Sequence, residues 1–279
     1  MDRAHVPYEP VLRDRLWMWG HDAGSTNGLY NIPPGGDILP AAACEYMGIP
    51  NVCMIRWRSL PAPPFDAYVR QFARTKRLAW SIIDGACEPY AEKKRLALAL
   101  ADKLPNLVSL YLDDFFLGNA APRHGEAAAH LTVSELRTLA EELDARPRRL
   151  DLSVVLYSNQ LRPEIAPHVE HVDVVSLWTW TASDLLRLEH NFETYRRIVP
   201  ARRTLLGLYM WDFGGQRPMP LELMEHQCRL ALQWLEQGGV EGLIFHCTPL
   251  CDMKLEAVEW ARSWIAEHGQ VRLSPGRGG

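Results

Sequence analysis

Short runs of β-forming apolar residues alternate with longer helical stretches along the whole chain, and they do so eight times. The runs are Leu16 to Gly20, Val52 to Trp57, Leu78 to Ile83, Leu107 to Leu112, Leu152 to Tyr157, Val172 to Trp178, Leu205 to Trp211 and Gly242 to Cys247. Each is a short hydrophobic run bounded by turn residues, the pattern that suits a buried parallel strand. Strict strand-then-helix order requires a parallel sheet. Eight units close into a (β/α)8 TIM barrel, an α/β fold, more readily than they form an open sheet. The doubly wound rival would carry a GxGxxG after its first strand, and none is present.

The helices between the strands carry their own signals. Thr132-Val-Ser-Glu135 is a capping box, and Thr181-Ala-Ser-Asp184 reads as a second one. Pro220 suits the first turn of a helix over Leu221 to Gln237, which Gly238-Gly239 ends. Ile38 to Met47, Asp66 to Lys76, Ala91 to Lys103 and Lys254 to Glu267 supply the others. The chain of 279 residues matches one such barrel, roughly 250 residues. The domain is therefore assigned to residues 1–270, and the Pro- and Gly-rich segment 271–279 is predicted to be a disordered tail.

Composition narrows the function classes. A net charge of -4 argues against a nucleic-acid partner, since such domains are usually basic. No apolar run reaches the roughly 20 residues of a membrane span, and the charged start, Met1 to Pro10, is no signal peptide. Six cysteines, Cys44, Cys53, Cys87, Cys228, Cys247 and Cys251, lie scattered without CxxC pairs, which fits buried thiols in a reducing, cytoplasmic setting. Homo-oligomerisation is left open by helices such as Leu221 to Gln237.

In a barrel of this kind the chemistry collects at the C-terminal ends of the strands. Those ends carry His21 and Asp22 after strand one, followed by a long loop with Asn27, Tyr30 and Asn31, and then Arg56 and Trp57 after strand two. Asp84 follows strand three, and Asp113 and Asp114 follow strand four. Tyr157 and Asn159, Trp178 and Trp180, Tyr209, Trp211 and Asp212, and His246 follow the remaining four. Along strand four Val108, Leu110 and Leu112 form one set, while Ser109, Tyr111 and Asp113 form the lumen-facing set. Asp113 then stands at the barrel top beside Asp114, and two crowded carboxyls favour one that keeps its proton, which suits a general acid. A structural role is the rival reading: Asp114 starts a turn and Asp113 pairs with Arg56. Trp17, Trp19, Trp57, Trp178, Trp180, Tyr209 and Trp211 are expected at the same rim, where flat rings suit the apolar faces of sugars.

The segment Leu110-Tyr-Leu-Asp-Asp-Phe115 resembles the strand-four motif of the glycoside hydrolases that cleave N-acetylglucosaminides, the O-GlcNAcase and bacterial hyaluronidase-like family. Trp178-Thr179-Trp180 is similar to that family's Trp-Thr-Gly, and Trp211-Asp212-Phe213 to its Trp-Asp-Asn, in the same order along the chain. Trp180 and Phe213 stand where the family has glycine and asparagine. The resemblance implies that Asp113 orients the substrate acetamide and that Asp114 is the general acid and base. It also implies that the acetamide oxygen is the nucleophile, and that Asp184 and Asp212 bind hydroxyls. Asp184 also reads as part of a helix cap.

Adjacent carboxyls cannot flank a bond from opposite faces, so the pair alone suits substrate assistance; otherwise Asp212 serves as nucleophile or base. Substrate contacts are expected from His21, Asp22, Arg56, Trp57, Tyr157, Asn159, Trp178, Trp180, Asp184, Tyr209, Trp211 and His246. No cofactor and no metal are expected. Two alternatives stay open: a metal-dependent sugar isomerase or hydrolase using His21, Asp22, Asp113, Asp212 and His246, and a barrel that binds a saccharide without turning it over.

Overall fold

The computed structural model describes residues 10–85, 88–118, 126–199 and 202–273. Most of Met1 to Pro10, Cys87 and the end of the tail, 274–279, lie outside the described residues. Eight parallel strands form a closed ring in chain order: β1 (Leu16–Gly20), β2 (Asn51–Met54), β3 (Arg77–Ile83), β4 (Leu107–Leu112), β5 (Asp151–Tyr157), β6 (Val174–Trp178), β7 (Arg203–Tyr209) and β8 (Gly242–His246). The α-helices outside the ring are α1 (Pro40–Met47), α2 (Tyr90–Lys103), α3 (Val133–Asp144), α4 (Ala166–Val169), α5 (Leu188–Ile198), α6 (Leu221–Glu236) and α7 (Glu256–His268). This is the TIM barrel read from the sequence. Its strands are buried because helices cover one face and packed lumen side chains the other.

Helix ends follow local chemistry. Thr132 accepts the Glu135 N–H at 3.2 Å while Glu135 accepts the Thr132 N–H at 2.8 Å, closing the capping box ahead of α3. Gly48 takes φ 69° at the end of α1, and Gly238 takes φ 71° just beyond α6, a left-handed turn that glycine adopts without a Cβ penalty.

Several elements differ from the sequence reading. The expected helix over Asp66 to Lys76 is a 3-10 helix, Tyr68–Arg74, in which only Val69 and Phe72 are buried; their three-residue spacing matches the 3-10 repeat. Thr181 forms no side-chain cap, and Ala182–Arg187 is a 3-10 turn leading into α5. β2 stops at Met54, and β7 runs from Arg203, which pairs with Asp151 at 2.6 Å at the lower rim. Trp211–Asp212 instead forms a short antiparallel ribbon with Arg217–Pro218. Val271 to Leu273 is ordered against the start of the barrel: Leu12 N–H donates to Val271 O at 2.9 Å, and Leu273 N–H to Pro10 O at 3.1 Å.

Candidate active site

A solvent-open cavity lies at the C-terminal mouth of the barrel, with about 580 Å3 of empty space when the open solvent at its entrance is included. Strand parity decides what reaches it. Trp19 and His21 alternate inward from β1, Val155 and Tyr157 from β5, and Tyr209 and His246 from the ends of β7 and β8. Trp178 and Trp180 enter from β6 and the residues after it, and Trp57 from the loop after β2. Asp113 and Asp114 complete the wall from the end of β4.

Asp113 is 7% exposed. Burial, then the neighbouring charges of Asp114 and Asp84, push its carboxyl well above the ordinary Asp range. Arg56 does not compensate it. That guanidinium is buried, stacks over Phe65 at 5.1 Å, donates to Pro61 O at 3.0 Å, and pairs with Glu88 at 2.6 Å. Asp84 is matched instead to Lys93 at 2.9 Å and also accepts from Ser81 Oγ. Asp113 is thereby biased toward its protonated form, facing a wall that contains no Lys or Arg among the described residues.

Asp114 is exposed at the rim in the left-handed region, φ 47°, which Asp tolerates better than most residues. Tyr157 Oη donates to its Oδ1 at 2.8 Å. Burial and the two aspartates raise the phenols of Tyr157 and Tyr209 well above the usual value, so both stay neutral donors.

The two histidines of the wall are also neutral. His21 Nδ1 lies 3.1 Å from Ile55 O, which assigns the proton to Nδ1 and leaves Nε2 as an acceptor. Burial pushes His21 down to about 4 and His246 well below its ordinary value. A folded imidazole that resists protonation contributes stability above the unfolded value near 6.5, and that stability is lost as the pH falls toward 4. The loss from His21 is about 3 kcal/mol by the linkage relation. Urea midpoints measured from pH 7 to 4 should fall steeply for wild type and less steeply for His21→Gln.

The remaining predicted site residues lie elsewhere. Asp22 is directed to Tyr68, whose phenol it helps to raise. Asn159 is exposed in a 3-10 turn, and Asp184 is exposed in the turn before α5. Trp211 is buried and donates through Nε1 to Tyr30 O at 3.0 Å. Trp17, two residues before Trp19 on the same face, lines a separate cavity at the opposite end of the barrel under the Arg77 guanidinium, 4.7 Å from its ring.

Asp212 is 0% exposed and does not line the mouth cavity. Its carboxylate accepts the N–H of Ala182 at 3.0 Å and of Gly215 at 2.8 Å, and meets Arg217 Nε at 3.1 Å. Asp212, not Thr181, caps the turn before α5. Asp212→Ala is expected to cost about 1–3 kcal/mol, chiefly from the buried Ala182 N–H left without an acceptor. The exposed Arg217 pair adds little. Urea denaturation would register the change as a lower midpoint at constant slope.

Thr26, Tyr30, Val155 and Phe213 also line the cavity. Tyr30 and Phe213 rings meet edge-on at 5.3 Å, joining the loop after β1 to the loop after β7. Val155 was readable from the parity of Tyr157; loop packing gives no such signal for Thr26 or Phe213. Among the described residues no group of three or more His, Cys, Asp or Glu is arranged to hold a metal ion. No described helix is long and apolar enough to cross a membrane.

No family model matches the chain, and no curated protein matches its sequence. Solved structures do share its fold. Active domain 2 of a chitinase from Pyrococcus furiosus superposes with a TM-score of 0.57 at 14% identity, over 94% of this chain and 97% of that one. The Group IV chitinase of Ostrinia furnacalis, solved with allosamidin, gives 0.56 at 11% identity, over 92% and 100%. A xylanase-A-amylase inhibitor protein, XAIP-III, gives 0.54 at 11% identity, over 91% and 98%. At these identities the shared property is the barrel.

Proposed function

We propose that the protein is a glycoside hydrolase that cleaves a neutral sugar residue held in the mouth cavity, with Asp113 as the general acid. The observation that carries this reading is a buried carboxyl, raised above its ordinary range, in a cavity walled by aromatic rings. Trp19, Trp57, Trp178 and Trp180 offer faces or edges to the apolar faces of a pyranose, and neutral Tyr157, Tyr209 and His21 offer polar tips to its hydroxyls. Asp113 gives its proton to the glycosidic oxygen as the bond to the anomeric carbon breaks. The carboxylate left behind is buried without a cation, so it readily recovers a proton from the water that completes hydrolysis.

The strand-four motif supports an N-acetylated sugar. Among the described residues, the cavity wall holds no carboxyl other than the adjacent pair. With no second carboxylate across the ring, the acetamide oxygen of the substrate is the nucleophile. The motif resemblance gives the proton to Asp114; burial favours Asp113, with Asp114, held by Tyr157, orienting the acetamide. Buried free thiols at Cys44, Cys53, Cys228, Cys247 and Cys251 are compatible with a cytoplasmic setting.

The same absence of a separated carboxylate favours a second reading, a barrel that binds a saccharide without cleaving it. Chromogenic glycosides, N-acetyl-β-glucosaminide first, distinguish the two. Release of chromophore by wild type supports the hydrolase. Saccharide binding with no release from any glycoside supports the binder.

A further inference from the structure

Gly207 lies on β7 between Leu205, which faces the lower cavity, and Tyr209, which faces the upper one. Its missing side chain would therefore point into the lumen. A Cβ built there would stand 2.0 Å from Trp178 Cε3, 2.2 Å from Cδ2 and 2.5 Å from Cζ3. Three atoms of one fused ring at such range mean that the indole occupies the space any other residue would need. The ring is fixed from the opposite side: Trp178 Nε1–H donates to Ser176 Oγ at 2.9 Å, and Ser176 Oγ–H to Val154 O at 3.2 Å. Trp19 meets it edge-on at 5.0 Å and Tyr209 packs at 5.2 Å. Trp178 is 1% exposed and still forms part of the cavity wall.

We propose that Gly207 is a specificity-determining positioning residue. By giving its side-chain space to Trp178, it lets the indole lie low across the lumen as the floor of the sugar site, and so fixes the depth to which a sugar ring can enter. Gly207 touches no substrate and acts through the indole. Any side chain at position 207 tips the indole upward into the mouth cavity, where it takes space from the sugar. This inference rests on the carbohydrate reading of the site.

The test is a double-mutant cycle read by calorimetric binding of N-acetylglucosamine, glucose, galactose and mannose, with near-UV circular dichroism reporting the tryptophan environment. Gly207→Ala is expected to weaken the best-bound sugar at least tenfold and to change the tryptophan bands. In a Trp178→Ala background the same change should alter neither, because no indole is left to displace. If Gly207→Ala alone fails to fold, folding of Gly207→Ala/Trp178→Ala supports the inference and its failure to fold overturns it. Wild-type affinity retained in Gly207→Ala, or an equal loss in both backgrounds, overturns the inference and leaves the carbohydrate reading standing. Wild type that binds none of the four sugars overturns both.

Discussion

Asp113→Asn is expected to lower turnover of the cleaved glycoside by roughly 10^2 to 10^4-fold, the usual contribution of a positioned acid. The amide keeps the size of the carboxyl and removes the proton that leaves with the aglycone. Sugar affinity should stay within a few-fold, because the aromatic wall is untouched, so the loss falls on kcat. Folding should not suffer at neutral pH. A carboxyl raised above its unfolded value contributes stability that is full below about pH 3.9 and is lost as the pH rises through the folded value. An amide at this site has no charge to bury. Steady-state kinetics beside a urea titration separate these effects. Unchanged turnover in Asp113→Asn would remove the acid from the mechanism.

Lys93→Met is expected to destabilise the barrel by about 3–5 kcal/mol, the largest stability effect in the site, because it removes one partner of a buried ion pair. Lys93 Nζ reaches Asp84 Oδ1 at 2.9 Å and Asp84 O at 3.2 Å, with side-chain exposures of 9% and 0%. Asp84 keeps its bond from Ser81 and loses the Lys93 ammonium, close to the Asp113 carboxyl. Removing the charge as well, in Asp84→Asn/Lys93→Met, should recover much of the loss, since a neutral amide has no counter-ion to miss. Chemical denaturation of the two variants tests this. Equal destabilisation in both would mean that the lysine stem, not its charge, matters here.

The barrel was legible because buried parallel strands are short, apolar and sharply bounded, and eight of them in strict alternation leave little topological choice. Asp113 was legible from the parity of β4, where Ser109 and Tyr111 mark the lumen face. Trp17 and Trp19 mark the limit of that reasoning. They share a face by parity, but their height along the axis follows from strand register, and Trp17 lands in the lower cavity. Asp212 and Asp113 look alike as aspartates near strand ends. What separates them is the backbone N–H of Ala182, thirty residues earlier in the chain, which only the folded loops bring within 3.0 Å. Arg56 read as a rim cation available to substrate or to Asp113; Glu88 and the Pro61 carbonyl, both from loops, bind it instead.

A difference infrared spectrum of wild type against Asp113→Asn at neutral pH tests the central claim without knowledge of the substrate. The expected result is a carbonyl stretch of a protonated carboxylic acid, present in wild type, absent from the variant and shifted in heavy water. An ionised-carboxylate band in its place would contradict a proton held on Asp113 in the resting site.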